Sequence, residues 1–131
     1  MAANPTTMTP GLASDPPAHR EYLDRMVEEG NVAAATAEAA WHVFESARAA
    51  VPGLPVPATA TSDGGIGYQW DDGPHHLTIV IESDGACDWY YRDRRGDSFA
   101  GAAFSPDGEL PAEVARHLAL WYSKTFAKIY S

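Results

Sequence analysis

The stretch IGYQWDDGPHHLTIVIESDGACDWYY, residues 66–91, decides the fold. Large apolar residues fall on alternate positions: Ile66, Tyr68 and Trp70, then Leu77, Ile79 and Ile81, then Cys87, Trp89 and Tyr91. A period of two marks strands with one buried face. Turn formers separate the runs: Asp71-Asp72-Gly73-Pro74, Ser83-Asp84-Gly85 and, beyond them, Arg94-Arg95-Gly96. A weaker fourth strand runs from Phe99 to Phe104. The last two turns place glycine third in a three-residue loop, the pattern of a type I turn closed by a left-handed glycine bulge. That loop length sets a register. Ile81 faces Cys87, Ile79 faces Trp89, Leu77 faces Tyr91, Tyr91 faces Phe99 and Trp89 faces Gly101. All the large apolar residues then share one face, and the Trp89 ring covers a bare glycine.

Helical signals flank this meander. Ser14-Asp15-Pro16-Pro17 reads as a helix start, and Tyr22, Leu23, Met26 and Val27 supply its apolar side. Gly30-Asn31 interrupts: Gly30 suits a C-terminal cap and Asn31 the cap of a second helix, so residues 14–51 form one helix or a pair. Ala37, Trp41, Phe44 and Val51 mark the face of the alanine-rich part. Pro52, Pro55 and Pro57 stop the helix and favour an extended connector. After Glu109-Leu110-Pro111, the residues Val114, Leu118, Trp121, Tyr122, Thr125, Phe126 and Ile129 form the apolar side of a C-terminal helix, with Lys124 and Lys128 near its negative end. The expected class is α+β: an N-terminal helix or helix pair, a four-stranded antiparallel meander and a C-terminal helix, with the helices packed on one sheet face.

The chain has 131 residues, which corresponds to a single domain over 14–131, preceded by an aperiodic tail over 1–13 that is expected to be disordered. Nine basic and 18 acidic side chains give a net charge of −9. That balance argues against nucleic acid and against anionic membrane surfaces. No apolar run reaches the length of a membrane span, and the N-terminus lacks the pattern of a signal peptide. One cysteine, Cys87, excludes an internal disulfide. The expected compartment is the cytoplasm.

Signals for chemistry are sparse. His75 and His76 are neighbours on a strand and so point to opposite faces, which disfavours a shared metal ion. His19, His42 and His117 are isolated. No serine or cysteine stands in a nucleophile motif, and Asp63-Gly64-Gly65-Ile66-Gly67 is followed by a strand, not by the helix a phosphate cradle needs. No catalytic residue, metal or cofactor is expected. The informative region is the second sheet face. The register places Gly67, Thr78, Tyr90 and Ala100 in one row, Val80, Asp88 and Ala102 in another, and Gln69, His76, Arg92 and Ser98 in a third. The face is small and partly apolar, as a covered surface is. His76, Tyr90 and Arg92, with Arg94 and Arg95 at the hairpin tip, are the expected partner-binding residues.

Leu54-Pro55-Val56-Pro57, Asp63-Gly64-Gly65-Ile66-Gly67-Tyr68-Gln69-Trp70, the strand His76–Glu82 and Trp89-Tyr90-Tyr91-Arg92-Asp93 together resemble short bacterial proteins with a proline-rich connector and a DGGI-x-x-x-W hairpin. The resemblance covers about residues 52–93 and implies an accessory or antitoxin-like role, with no catalytic residue carried over. The expected function is therefore that of a small non-enzymatic binding protein contacting a protein partner. The alternative is a ligand-binding domain or enzyme with an aromatic pocket lined by Trp41, Trp70, Trp89 and Trp121. A homodimer is the third reading.

Overall fold

A computed structural model describes residues 16–56, 58–61, 63–71, 73–96 and 98–130. The tail over 1–13, the Ser14-Asp15 cap, and Asp72 and Asp97 of the turns lie outside them, as do the side chains of Thr125, Phe126 and Ile129 and those of Lys124 and Lys128.

Among the described residues two helices precede the sheet: α1 (Pro16–Glu28) and α2 (Ala34–Ala50). The break between them is real. Gly30 adopts φ 76°, its N–H donates to Val27 O and the Asn31 N–H donates to Met26 O. This is the paired closure in which a left-handed glycine ends a helix. Asn31 does not cap α2: the N-cap is Ala33, without a side-chain hydrogen bond, and the Asn31 amide turns back to Glu29. Arg20 ties the two helices by an ion pair of 2.7 Å with Glu38.

The described residues form five strands, β1 (Ala58–Ala60), β2 (Ile66–Asp71), β3 (His75–Ile81), β4 (Cys87–Asp93) and β5 (Ser98–Phe104), antiparallel and in sequential order; α3 (Ala112–Tyr130) follows the sheet. The expected α+β meander is present, with one further strand. Ala-Thr-Ala at β1 is too short to show a period, and it is returned to β2 by the Asp63-Gly64-Gly65 turn, where the Thr61 N–H donates to Gly65 O. Leu54 and Val56 of the connector are fully buried, and Trp70 Nε1 donates to Pro55 O at 2.8 Å.

The three described helices lie on the face carrying Ile66, Tyr68, Trp70, Leu77, Ile79, Ile81, Cys87 and Trp89, all buried. They meet Leu23, Val43, Phe44, Ala47, Val114 and Leu118 there. Thr36 at the start of α2 donates to Ser83 O and so holds the β3–β4 turn. In that turn Gly85 has φ 87°, and Ile81 pairs with Cys87, Ile79 with Trp89 and Leu77 with Tyr91, the expected register.

Register differs in the two flanking hairpins. Asp71 pairs with His76 and Gly67 with Val80, where the expected rows paired Gln69 with His76 and Gly67 with Thr78. The loop is two residues shorter than expected, and the Asp71 carboxylate tightens it by accepting the Gly73 N–H. In the β4–β5 hairpin, Asp93 pairs with Ser98, so the loop has one residue more than expected. Gly96 is not left-handed; the Asp93 carboxylate instead accepts the N–H groups of Arg95 and Gly96. Tyr91 therefore faces Ala100, not Phe99, and Trp89 faces Ala102, not Gly101. A slip of one residue moves a strand's side chains to the opposite face. Ala100 joins the helix side, while Phe99 leaves it.

Candidate functional site

No described helix packs on the second sheet face. Its rows are Gln69–Thr78–Tyr90–Gly101, Asp71–His76–Arg92–Phe99 and Gly67–Val80–Asp88–Ala103. Tyr90 is 42% and Phe99 69% exposed, and their rings stand 6.4 Å apart at an angle of 43°. A glycine opposite Tyr90 is required: a Cβ on Gly101 would sit 2.8 Å from Trp89 O and 3.1 Å from Tyr90 Cδ1. The covering of a bare glycine by a large ring occurs, then, with Tyr90 on this face and not with Trp89 on the other. Phe99 is the residue sequence reasoning missed here. Its alternation is legible, but its face depends on the loop length.

Beside the aromatic pair runs a fixed polar strip. Asp71 accepts two hydrogen bonds from Arg94, at 3.0 and 3.1 Å, and one from the Gly73 N–H at 2.8 Å. Its second oxygen lies 2.9 Å from His76 Nδ1. The Arg94 guanidinium, then the Gly73 N–H and His76, hold the Asp71 carboxyl well below the usual carboxylate range. An ionised carboxylate has no proton to give, so Nδ1–H of His76 donates. Thr78 Oγ1 lies 2.7 Å from His76 Nε2. Hydroxyl, imidazole and carboxylate thus form one chain. Its connectivity is that of a nucleophile, base and orienting acid. These hydrogen bonds fix the direction of His76 and Thr78.

The expected contact residues divide. Tyr90, His76 and Arg92 share the open face. Arg94 is an internal tie: besides Asp71 it donates to Gly73 O at 2.6 Å, and its own N–H reaches Pro74 O, so the β2–β3 and β4–β5 tips are joined. Arg95 binds the Asp93 carboxylate and lies 2.8 Å from His75 Nε2. That guanidinium, with the N–H groups of Arg95 and Gly96, lowers the Asp93 carboxyl. His75 is on the helix side, in line with Tyr91, whose ring stacks on His117 at 3.7 Å. His75 and His76 do point to opposite faces. Among the described residues no three of His, Cys, Asp and Glu converge as a metal site would require.

Two further groups bear on chemistry. His19, silent in the sequence, is buried against Phe44 with its ring centroids 4.3 Å apart. Its Nε2 lies 2.8 Å from the Tyr68 hydroxyl, which donates to Ala40 O. Burial lowers its pKa to about 4. The Asp63-Gly64-Gly65 run is a turn closed by the Thr61 hydroxyl, which bonds Asp63 and accepts the Gly65 N–H. Of the four tryptophans expected around a pocket, Trp70 and Trp89 fill the core and Trp41 and Trp121 pack at its border.

Comparison with family models, with curated proteins and with solved structures finds no match to this chain. Among the described residues no helix is long and apolar enough to cross a membrane.

Proposed function

We propose that this chain is a small non-enzymatic protein-binding module, an accessory or antitoxin-like subunit, that docks a protein partner on the open sheet face. The reading rests on one observation: Tyr90 and Phe99 stand side by side in solvent on a face that no described helix covers. Tyrosine and arginine are the residue types that most often dominate interface energy, and Arg92 lies next to both rings in the sheet. The rigid Asp71–His76–Thr78 strip supplies fixed polar groups at the border, where an interface has its hydrogen bonds. A net charge of −9 suits a partner with a basic rim and disfavours nucleic acid. The cytoplasm is the compartment that fits a chain with one buried thiol and no disulfide.

The test pairs stability with affinity. Tyr90→Ala and Phe99→Ala should unfold within about 1 kcal/mol of the parent chain, as exposed substitutions do. The same changes should weaken binding to the protein that co-purifies from the native host, by about 2 kcal/mol for the stronger anchor, in calorimetric titration. Unchanged affinity in both variants refutes the face as the contact surface.

A further inference from the structure

The two edges of the sheet are built differently. β1 has three residues, and an edge that short offers little to pair with. β5 has seven, Ser-Phe-Ala-Gly-Ala-Ala-Phe, with no charge and no proline. Phe99, Gly101, Ala102 and Ala103 are exposed along it. Lysine, proline, bulges and short length are the devices by which sheets avoid edge pairing, and β5 has none of them. Its outward N–H and C=O groups form a ready template for another strand.

We infer that β5 pairs antiparallel with β5 of a second copy of this chain, about a two-fold axis through Gly101, joining two sheets into one. This inference stands on the edge and is independent of the reading of the open face. Three features select a second copy over an unrelated strand. First, a two-fold axis perpendicular to a sheet keeps each residue on its own face. With the axis at Gly101, Phe99 falls opposite Ala103 of the other copy, both on the open face, and Ala100 falls opposite Ala102, both on the helix side. Each Phe99 ring meets a methyl group and not its own twin. Second, this alignment pairs all seven residues of β5, so no outward backbone group of the strand is left over. Third, the charges at the two ends complement each other. Arg95, which precedes β5 and stays exposed beside Asp93, arrives beside the other copy's Ser105–Gly108 turn, with its exposed Asp107. The symmetry makes this contact twice. An acidic chain is thereby joined to its like through a strand that carries no charge.

Sedimentation over a concentration series, with amide hydrogen exchange at its two ends, tests the inference on the full chain. The expected result is a reversible monomer–dimer equilibrium in which amides of β5 gain protection at high concentration. Ala103→Lys, which places a charge opposite Phe99 of the other copy, should raise the dissociation constant by about tenfold while leaving the melting temperature unchanged. Arg95→Asp should weaken the dimer, and the exchanged pair Arg95→Asp with Asp107→Arg should restore it, which a role confined to one hairpin does not explain. A chain that stays monomeric, with β5 amides exchanging alike at both concentrations, overturns the inference. So does a dimer that ignores Ala103→Lys and is lost in Tyr90→Ala; that outcome transfers the contact to the open face and leaves the proposed binding surface standing.

Discussion

The two faces of this sheet are made by the same strands, one residue apart, and they obey different rules. On the helix side, eight side chains from Ile66 to Trp89 are buried, and their polar atoms are tied inward: Trp70 to Pro55 O, Tyr68 to Ala40 O and His19. On the open side, polar groups satisfy one another across strands, as in Asp71–His76–Thr78, and the rings of Tyr90 and Phe99 lie beside each other in solvent. Hydrophobic burial holds the first face together. The second face keeps its apolar area in water.

The sharpest way to break this comparison is to truncate one ring on each side. Trp70→Ala should cost about 3–5 kcal/mol in denaturant unfolding, because it opens a cavity that the connector cannot fill, and Phe99→Ala far less. Comparable losses from the two would show that Phe99 serves the fold. A second, smaller effect belongs to the covered face alone. In the unfolded chain His19 takes up its proton near pH 6.5; in the folded chain it does so at about 4. Between those values the unfolded state binds more protons, so stability falls as pH falls through that window. The whole window is worth about 3 kcal/mol. His19→Gln should flatten the upper part of this slope, from about pH 6.5 to 5, where carboxylates contribute least. A slope as steep as that of the parent chain would remove His19 as its source. The smallest effect is on the open side. Arg94→Ala breaks an ion pair whose two side chains are nearly half exposed, so it should cost about 1 kcal/mol or less. It should also raise amide exchange in both hairpin tips together, since Arg94 joins them; exchange rising in one tip alone would contradict that link.

What could be read beforehand follows the same division. Period two along β2, β3 and β4 identified the buried face, because burial acts on every second residue and leaves a mark in each strand. The β3–β4 register was legible because Gly85 requires a left-handed turn of fixed length. Arg94-Arg95-Gly96 has the same spelling, but there the Asp93 carboxylate organises the loop, and a side-chain cap leaves no count in the sequence. That single residue of loop carried Phe99 across the sheet and changed the composition of the candidate site. His19 was illegible for another reason. One histidine in a first helical turn says nothing about which tyrosine, 49 residues on, will reach it. Tyr90, His76 and Arg92 could be assigned to one face because they lie on the strands whose pairing was secure.

Cys87 sits where β4 begins, between Ile81 and Phe104, and is 1% exposed. Burial first, then the charges of Asp88 and Asp107, pushes its thiol up to about 11. A thiol in that state is inert toward alkylating reagents, because only the thiolate attacks. It becomes reactive when the end of the sheet opens and returns it to water. The chain therefore carries its own clock: the rate at which a reagent modifies this one sulfur counts the openings of that corner. No label has to be engineered into either face to follow them.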